Sequence, residues 1–150
     1  TPRTKAVYGL HNRASRGASI YMKDTKYNTM VEGFHVACKT DFACIALSSL
    51  TDAPICESDN MLLTTIGRAR NTGAQFDGEK MIEVGHAPIM AEVIDAQIRI
   101  KTNRPKLKVW GVNAEGFYAG KMKTTYEDGY LCFRVGDENN PACYYLIVED

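Results

Sequence analysis

Apolar and polar residues alternate strictly in several short segments of this sequence, and this alternation restricts the possible fold more than any other feature. In the segment 95–101 (DAQIRIK) every second residue is apolar, and the segment 129–135 (GYLCFRV) repeats the pattern. Successive side chains of a β-strand point to opposite faces of the sheet, whereas a helix repeats about every 3.6 residues. The alternation therefore predicts antiparallel strands that each bury one face.

Further segments have the composition of short strands and are separated by turn signals. The strand-like runs are KAVYGL, MVEGFHVACK, FACIALSSL, NMLLTTIG, KMIEV, PIMAEVI and YYLIVE, and the turns include SRG, TDAP, NTG, FDGE, NRP, NAEG, YEDG and DENNP. The stretch nearest to a helical pattern, SDNMLLTTIGRAR, contains two adjacent threonines and a glycine, which disfavour a helix. Many short strands separated by turns predict an all-β fold, an antiparallel β-sandwich of the jelly-roll kind.

The chain length and the lack of linker-like segments indicate the domain organisation. The chain has 150 residues, with no internal repeat, low-complexity tract or linker, so we expect residues 1–150 to form a single domain. The sequence opens with TPRT, with neither an initiator methionine nor a charged and then apolar signal segment. We therefore expect a module excised from a larger modular protein.

The charge balance argues against two classes of partner. Eighteen basic residues stand against eighteen acidic ones, so the formal net charge is zero. This balance provides no general attraction to nucleic acid or to an anionic membrane surface. No apolar run approaches the ~20 residues that a membrane-spanning helix requires. We expect neither nucleic acid nor membrane as a partner.

The five cysteines are widely spaced, and no C-x-x-C pair occurs. Structural zinc sites usually take their ligands in close pairs, so a zinc site is not expected. The odd number leaves at least one thiol unpaired. Buried or half-buried free cysteines are the favoured interpretation, and one disulfide is the alternative.

Signatures of catalysis are absent from the sequence. There is no G-x-G-x-x-G, P-loop, H-E-x-x-H or G-x-S-x-G motif, and His11, His35 and His86 lie in unrelated segments. The acidic residues are scattered over turns and offer no distinct pair for glycoside hydrolysis. We expect no catalytic residue, no metal site and no cofactor. A structural calcium ion is a minor alternative, because hard oxygen ligands cluster in CESDN (56–60) and GDENN (136–140).

The only tryptophan suggests a binding surface. In KLKVWGV (106–112), read as a strand, Trp110 shares a face with Lys108, opposite Leu107 and Val109. Tyr130 is expected to face outward on a neighbouring strand, and Tyr126 is expected in the turn that precedes it. An exposed ring is a flat apolar plate on which the C–H face of a sugar stacks, while polar side chains bind the hydroxyls. The alternative is that Trp110 packs under a loop or against another domain of the parent protein.

Five longer segments form a recognisable pattern, namely TPRTKAVYGL, TDFACIALSSLTDAPICESDN, MLLTTIGRARNTGAQF, GHAPIMAEVIDAQIRI and VWGVNAEG. These segments resemble a β-sandwich domain found near the C-terminus of large secreted bacterial glycoside hydrolases. They span nearly the whole chain, and Trp110 occupies the aromatic position of the last one. The resemblance implies secretion, a polysaccharide as the substrate of the parent, and a non-catalytic role, because the family's catalytic acids lie in a separate barrel domain.

Within the resemblance, the loop GRARNTG has two interpretations. Arg68, Arg70 and Asn71 are candidates for binding sugar hydroxyls or for shaping the cleft of the catalytic domain. They are also suited to hold a turn, because Asn-x-Gly fits left-handed backbone positions and arginine binds loop carbonyls. The turn is the favoured interpretation.

The leading functional hypothesis is a carbohydrate-binding module that binds plant polysaccharide through exposed aromatic side chains. Its candidate residues are Trp110, Tyr130, Tyr126, Lys108, Arg68 and Asn71. The alternative is a structural accessory sandwich that packs on the catalytic domain of the parent and binds no ligand. A hydrolase or esterase acting on its own is the third and least favoured hypothesis.

Overall fold

All regular structure in the described part of the chain is β-structure. The computed structural model describes residues 1–10, 28–136 and 141–149, and for residues 9–10 and 28–31 it describes the backbone alone. The strands are β1 (Thr4–Leu10), β2 (Asn28–Val31), β3 (Phe34–Cys38), β4 (Phe42–Ser49), β5 (Asn60–Ile66), β6 (Ala69–Thr72), β7 (Gln75–Asp77), β8 (Lys80–Glu83), β9 (His86–Ala91), β10 (Ala96–Lys101), β11 (Leu107–Val112), β12 (Tyr118–Lys121), β13 (Thr124–Glu127), β14 (Tyr130–Val135) and β15 (Tyr144–Glu149).

Two large antiparallel sheets form the body of the protein. The six-stranded sheet has the order β1-β4-β5-β15-β11-β12, and the five-stranded sheet has the order β13-β14-β10-β3-β2. Strands that are neighbours in a sheet are often distant in the sequence. For example, β15 lies between β5 and β11. The pairing is therefore set by contacts between distant parts of the chain rather than by local hairpins alone.

The two sheets share one hydrophobic core. Strand β10 alternates buried and exposed residues along its length, and β11 alternates buried and half-buried residues. The six-stranded sheet contributes Val7, Ala43, Ile45, Leu47, Met61, Leu63, Leu107, Val109, Tyr145 and Ile147. The five-stranded sheet contributes Phe34, Val36, Cys38, Ala96, Ile98, Ile100, Leu131, Phe133 and Val135. The predicted all-β, antiparallel, sandwich-like fold is confirmed.

One predicted strand is two strands in the structure. The run MVEGFHVACK divides into β2 and β3, which pair with each other across a turn at Glu32 and Gly33. Gly33 has a φ of 70°, a left-handed value that favours glycine. The run was read as one strand, although the polar Glu32 and the small Gly33 interrupt its apolar residues. The strands β6, β7, β12 and β13 were not predicted, because they are short and mostly exposed.

The segment between β5 and β10, residues 67–93, forms an arm of two short ribbons. β6 pairs with β9 and β7 pairs with β8, and these strands join neither large sheet. Gly85, with a φ of 73°, occupies the turn into β9, where an added Cβ would collide with the backbone of Thr72. The arm exposes many large apolar side chains, namely Met81, Ile82, Val84, Ile89, Met90 and Val93.

A buried hydroxyl pair ties the loop after β4 to the body. Ser58 is fully buried, and the Oγ of Ser49 donates a hydrogen bond to its Oγ at 3.0 Å. The Ser58 hydroxyl in turn donates to the carbonyl of Asn60 at 2.8 Å. Buried hydroxyls are stable only when they are bonded, so this pair requires Ser49 to point inward.

All five cysteines are free thiols in the structure. Cys38 is buried in the core, and burial raises the pKa of its thiol to about 11. Cys56 is exposed, whereas Cys44, Cys132 and Cys143 are half-buried. This arrangement corresponds to the favoured sequence interpretation of free cysteines.

Candidate functional site

The outer face of the six-stranded sheet carries the single tryptophan of the chain. Along β11, Leu107 and Val109 are buried in the core, so Lys108, Trp110 and Val112 lie on the opposite face, where they are half-buried. The expected arrangement, with Trp110 and Lys108 sharing the face that points away from the core, is confirmed. Trp110 is therefore not part of the hydrophobic core.

Two tyrosines lie beside Trp110 on this face. The ring centroid of Tyr118 is 5.3 Å from that of Trp110, and the two ring planes are inclined by 42°. Tyr118 and Tyr144 stand directly opposite Val112, one on each neighbouring strand, and Trp110 is two residues from Val112 on the same face. Trp110, Tyr118 and Tyr144 are called the aromatic platform below. Tyr118 is 62% exposed and Tyr144 is also exposed, so the platform presents ring surface to solvent.

Two lysines border the aromatic platform. The Nζ of Lys121 lies 5.1 Å from the centroid of the Trp110 ring, and Lys121 stands directly opposite Trp110 in the sheet. An ammonium over an indole ring is attracted by the negative π face. Lys108 precedes Trp110 by two residues on the same face. The platform is thus an apolar plate with hydrogen-bond donors at its border.

The apolar surface continues across the sheet from Trp110. Leu146 of β15 stands directly opposite Trp110, and Leu62 of β5 stands directly opposite Leu146. Both leucines are half-buried and lie on the outer face, because their sequence neighbours Tyr145, Ile147, Met61 and Leu63 fill the core. With strands ~4.8 Å apart, this row spans roughly 10 Å. It extends the platform into a flat strip long enough for an elongated ligand.

Tyr130 does not join Trp110, and the expectation of neighbouring strands is wrong. Tyr130 begins β14, which belongs to the five-stranded sheet, whereas the neighbours of β11 are β15 and β12. Its ring lies on the outer face of that other sheet, 5.2 Å from the ring of His35 and 4.9 Å from the guanidinium carbon of Arg99. The two strands are close in the sequence, but the chain crosses from one sheet to the other between them.

Tyr126 is also separate from the platform. It belongs to β13 rather than to a turn, and it stands directly opposite the buried Leu131, on the core side of the sheet edge. Its hydroxyl donates a hydrogen bond to the carbonyl oxygen of Thr102 at 2.8 Å. The phenol therefore has a structural partner at the edge of the sandwich.

The three loop candidates lie on the arm, where the guanidinium carbon of Arg70 lies 4.2 Å from the centroid of the Phe76 ring. The Nδ2 of Asn71 donates a hydrogen bond to the carbonyl oxygen of Val84 at 3.1 Å, which ties the two ribbons together. The backbone N–H of Arg68 donates to Oε2 of Glu92 at 3.3 Å at the base of the arm. For Asn71, the geometry corresponds to the favoured interpretation of a residue that holds a turn.

Sequence reasoning missed Tyr118 and Tyr144. Tyr118 follows the exposed Phe117 in the segment EGFYAG, an aromatic pair directly after a turn signal. In YYLIVE, strict alternation places Tyr144 and Leu146 on one face. These signals were present, but only the strand order shows that both tyrosines lie next to Trp110.

The titratable groups show few large perturbations. The pKa of His35 is lowered, mainly by burial and also by the charge of Arg99. The pKa of Asp95 is lowered, chiefly by hydrogen bonds from Arg134 at 2.8 Å to both carboxylate oxygens.

Within the described residues, no three histidine, cysteine, aspartate or glutamate side chains are grouped to hold a metal ion. The second predicted calcium cluster, apart from Gly136, and His11 lie outside the described residues.

In the part of the chain that the structure covers, no helix has the length and apolar character needed to cross a membrane. Comparisons with family models, curated proteins and solved structures give no significant match for this chain.

Proposed function

We propose that this protein is a non-catalytic carbohydrate-binding module that binds a polysaccharide on its aromatic platform. The observation that carries the proposal is the placement of the half-buried Trp110 together with the exposed rings of Tyr118 and Tyr144 on one face. Lys108 and Lys121 supply donors at the border of these rings. The resemblance to domains of secreted bacterial glycoside hydrolases supports plant polysaccharide as the ligand and an extracellular parent enzyme as the context.

The energetics favour a weak site that gains from repetition. A sugar that covers ~100 Å² of apolar ring surface contributes about 2–3 kcal/mol at ~25 cal/mol/Å². Association costs offset much of this free energy, so one sugar is held weakly. The row from Trp110 to Leu62 allows contact with more than one sugar of the same polymer. Such a module keeps an attached catalytic domain close to its substrate, because tethering raises the effective concentration.

Retardation in a native gel cast with each of several plant polysaccharides tests this function. The intact module should be retarded by at least one polysaccharide, and the fluorescence of Trp110 should shift on titration with the soluble form. The Trp110→Ala variant should migrate as it does in a gel without polysaccharide. If the intact module migrates freely in every gel, and no titration changes the fluorescence, the proposal is wrong.

A second candidate function is docking on another domain of the same parent protein. The observation that favours it is the arm, where Ile82, Val84 and Ile89 expose large apolar surface on strands that join neither large sheet. Exposed apolar clusters of this kind mark protein contacts. The two functions use different surfaces and are compatible with each other.

Backbone amide hydrogen exchange in the arm tests whether a neighbouring domain of the parent protein docks on it. In the full-length parent, the amides of residues 80–91 should exchange more slowly than in the isolated module, if the neighbouring domain covers them. The amides of the aromatic platform serve as the control within the same experiment. Equal exchange of the arm in both proteins would contradict the docking function.

A further inference from the structure

A concave surface lies at one end of the sandwich, away from the flat aromatic platform. It is a cleft of about 550 Å³, in the usual range for a small-molecule site. Its walls come from the beginning of β1, the turn between β2 and β3, the loop after β4, and the adjoining ends of β10 and β14. In the six-stranded sheet, β1 is four strand spacings from β11, or ~19 Å. The cleft is therefore a separate surface.

One cation of the cleft is largely enclosed. Lys5 alternates with the core residue Val7 on β1, so its side chain enters the end of the sandwich and is only 16% exposed. Its Nζ lies 4.0 Å from Oε2 of Glu32, at the limit of an ion pair, and the Glu32 side chain is 97% exposed. A buried charge is stable when it is closely paired. The contact with Glu32 is long and solvated, so the ammonium of Lys5 has room for a closer anion.

A second cation lies on the other wall. Lys101 ends β10, stands directly opposite Tyr130 on β14, and lines the cleft together with it. Among the described residues that line the cleft, the side chains of Lys5, Lys101 and Glu32 sum to one net positive charge. Arg99 lies two residues from Lys101 on the same face of β10 and adds positive potential behind the Tyr130 ring. A single negative charge matches this cleft best.

The remaining lining offers two further kinds of contact. Pro54, which is half-buried, forms an apolar wall that suits a carbon ring. The hydroxyl of Tyr130 and the carboxylate of Glu32 are polar groups that bind alcohol groups of a ligand. Phosphate sites typically use arginine forks or a series of backbone N–H groups, and the described lining of this cleft contains no arginine.

We infer that this cleft binds a sugar acid, a hydroxylated ring that carries one carboxylate. The carboxylate lies between the ammonium groups of Lys5 and Lys101, the apolar ring face packs on Pro54, and the ring hydroxyls bond to Tyr130 and Glu32. The inference goes beyond the proposed platform function and does not depend on it. If both hold, the module has one site for stacking on a polymer and another that selects acidic sugars.

Titration with matched sugars tests the inference directly. Glucuronate and galacturonate should shift the backbone amide signals of residues 32–33, 55–56 and 101 in NMR spectra. Glucose and galactose, which have the same ring without the carboxylate, should bind at least about tenfold more weakly, a difference of about 1.4 kcal/mol. Inorganic sulfate is the third ligand, because equal binding of sulfate would show a nonspecific anion site and would overturn the inference.

Variants of the two lysines locate the site. Lys101→Met keeps the aliphatic stem and removes the charge at an exposed position, so its fold should be intact. Its affinity for glucuronate should fall at least about tenfold, as should that of Lys5→Met, since each change removes a charged hydrogen-bond donor to the carboxylate. The control Lys106→Met changes an exposed lysine outside the cleft and should bind as the unchanged protein does.

Cys56 provides a readout that does not use the lysines. It is exposed and lines the cleft, so bound glucuronate should slow its alkylation by iodoacetamide. Substitution of Trp110 should leave glucuronate binding unchanged, and this separates a failure of the inference from a failure of the proposed function. Absence of glucuronate binding, or full binding by both lysine variants, would overturn the inference.

Discussion

Replacement of Tyr118 by alanine tests the aromatic platform with little disturbance of the fold. Tyr118 lies on the edge strand β12 and is 62% exposed. A tyrosine side chain offers about 200 Å² of surface, so about 120 Å² of it is available to a ligand. A sugar that stacks on one side of the ring covers about 60 Å² of this, which at ~25 cal/mol/Å² contributes about 1.5 kcal/mol. The polysaccharide affinity of Tyr118→Ala should therefore fall about tenfold.

The measurement is the mobility of the variant in native gels over a series of polysaccharide concentrations, which gives a dissociation constant. Tyr8→Ala is the matched control, because Tyr8 is a tyrosine on the same outer face, 45% exposed, on the opposite edge strand β1. The unfolding temperature of each variant should stay close to that of the intact protein, with a change in the free energy of unfolding of no more than about 1 kcal/mol. An equal loss of affinity in both variants, or no loss in Tyr118→Ala, would refute the assignment of the platform.

Three further predictions follow from the hydrogen bonds and pKa shifts. Asn71→Ala removes the hydrogen bond from the side-chain amide to a main-chain carbonyl of the arm, which should cost about 1 kcal/mol. Backbone amides of the arm should therefore exchange with solvent about fivefold faster, while those of the core are unchanged. Uniform acceleration of exchange over the whole protein would contradict this. Hydrogen bonds from Arg134 lower the pKa of Asp95, so its carboxylate stabilises the fold above its unfolded pKa, and this stabilisation is lost as the pH falls through the folded pKa. Asp95→Asn should therefore be less stable than the intact protein at neutral pH and should lose less stability on acidification, measured by urea unfolding at several pH values; parallel curves would contradict this. Cys38 is buried and has a thiol pKa of about 11, so it should be alkylated much more slowly than the exposed Cys56 at mildly alkaline pH. Mass spectrometry can follow both rates, and equal rates would contradict this.

The sequence predicts the strands well where alternation is strict. The segments around β10, β11 and β14 have one buried face each, as their patterns indicated, because burial of alternate residues is a local property of the chain. The turn at Gly33 was missed, because the run MVEGFHVACK was read as a single strand. The Glu-Gly pair between its apolar segments was the available signal for a two-residue hairpin.

The composition of the platform could not be predicted in the same way. Trp110 was found because it is unique in the chain and lies on the lysine face of its strand. Its partners Tyr118 and Tyr144 are adjacent only through the pairing of β11 with β12 and β15, and Tyr130 is excluded only because β14 joins the other sheet. The pairing of β11 with β15 joins distant segments and depends on the whole core, so one segment cannot specify it. β12 follows β11 across a short loop and was missed because it is short and mostly exposed.

The six-stranded sheet is apolar on both faces, and this has a consequence for how its strands find their alignment. A slip of β5 by one residue would replace Met61 and Leu63 in the interior by Leu62 and Thr64, at a modest loss of apolar contact. Hydrophobic pattern alone therefore discriminates poorly between the two alignments. Ser49 and Ser58 point inward and are bonded to each other, and Ser58 also donates to the carbonyl of Asn60, the first residue of β5, so these hydrogen bonds favour the observed alignment over the shifted one.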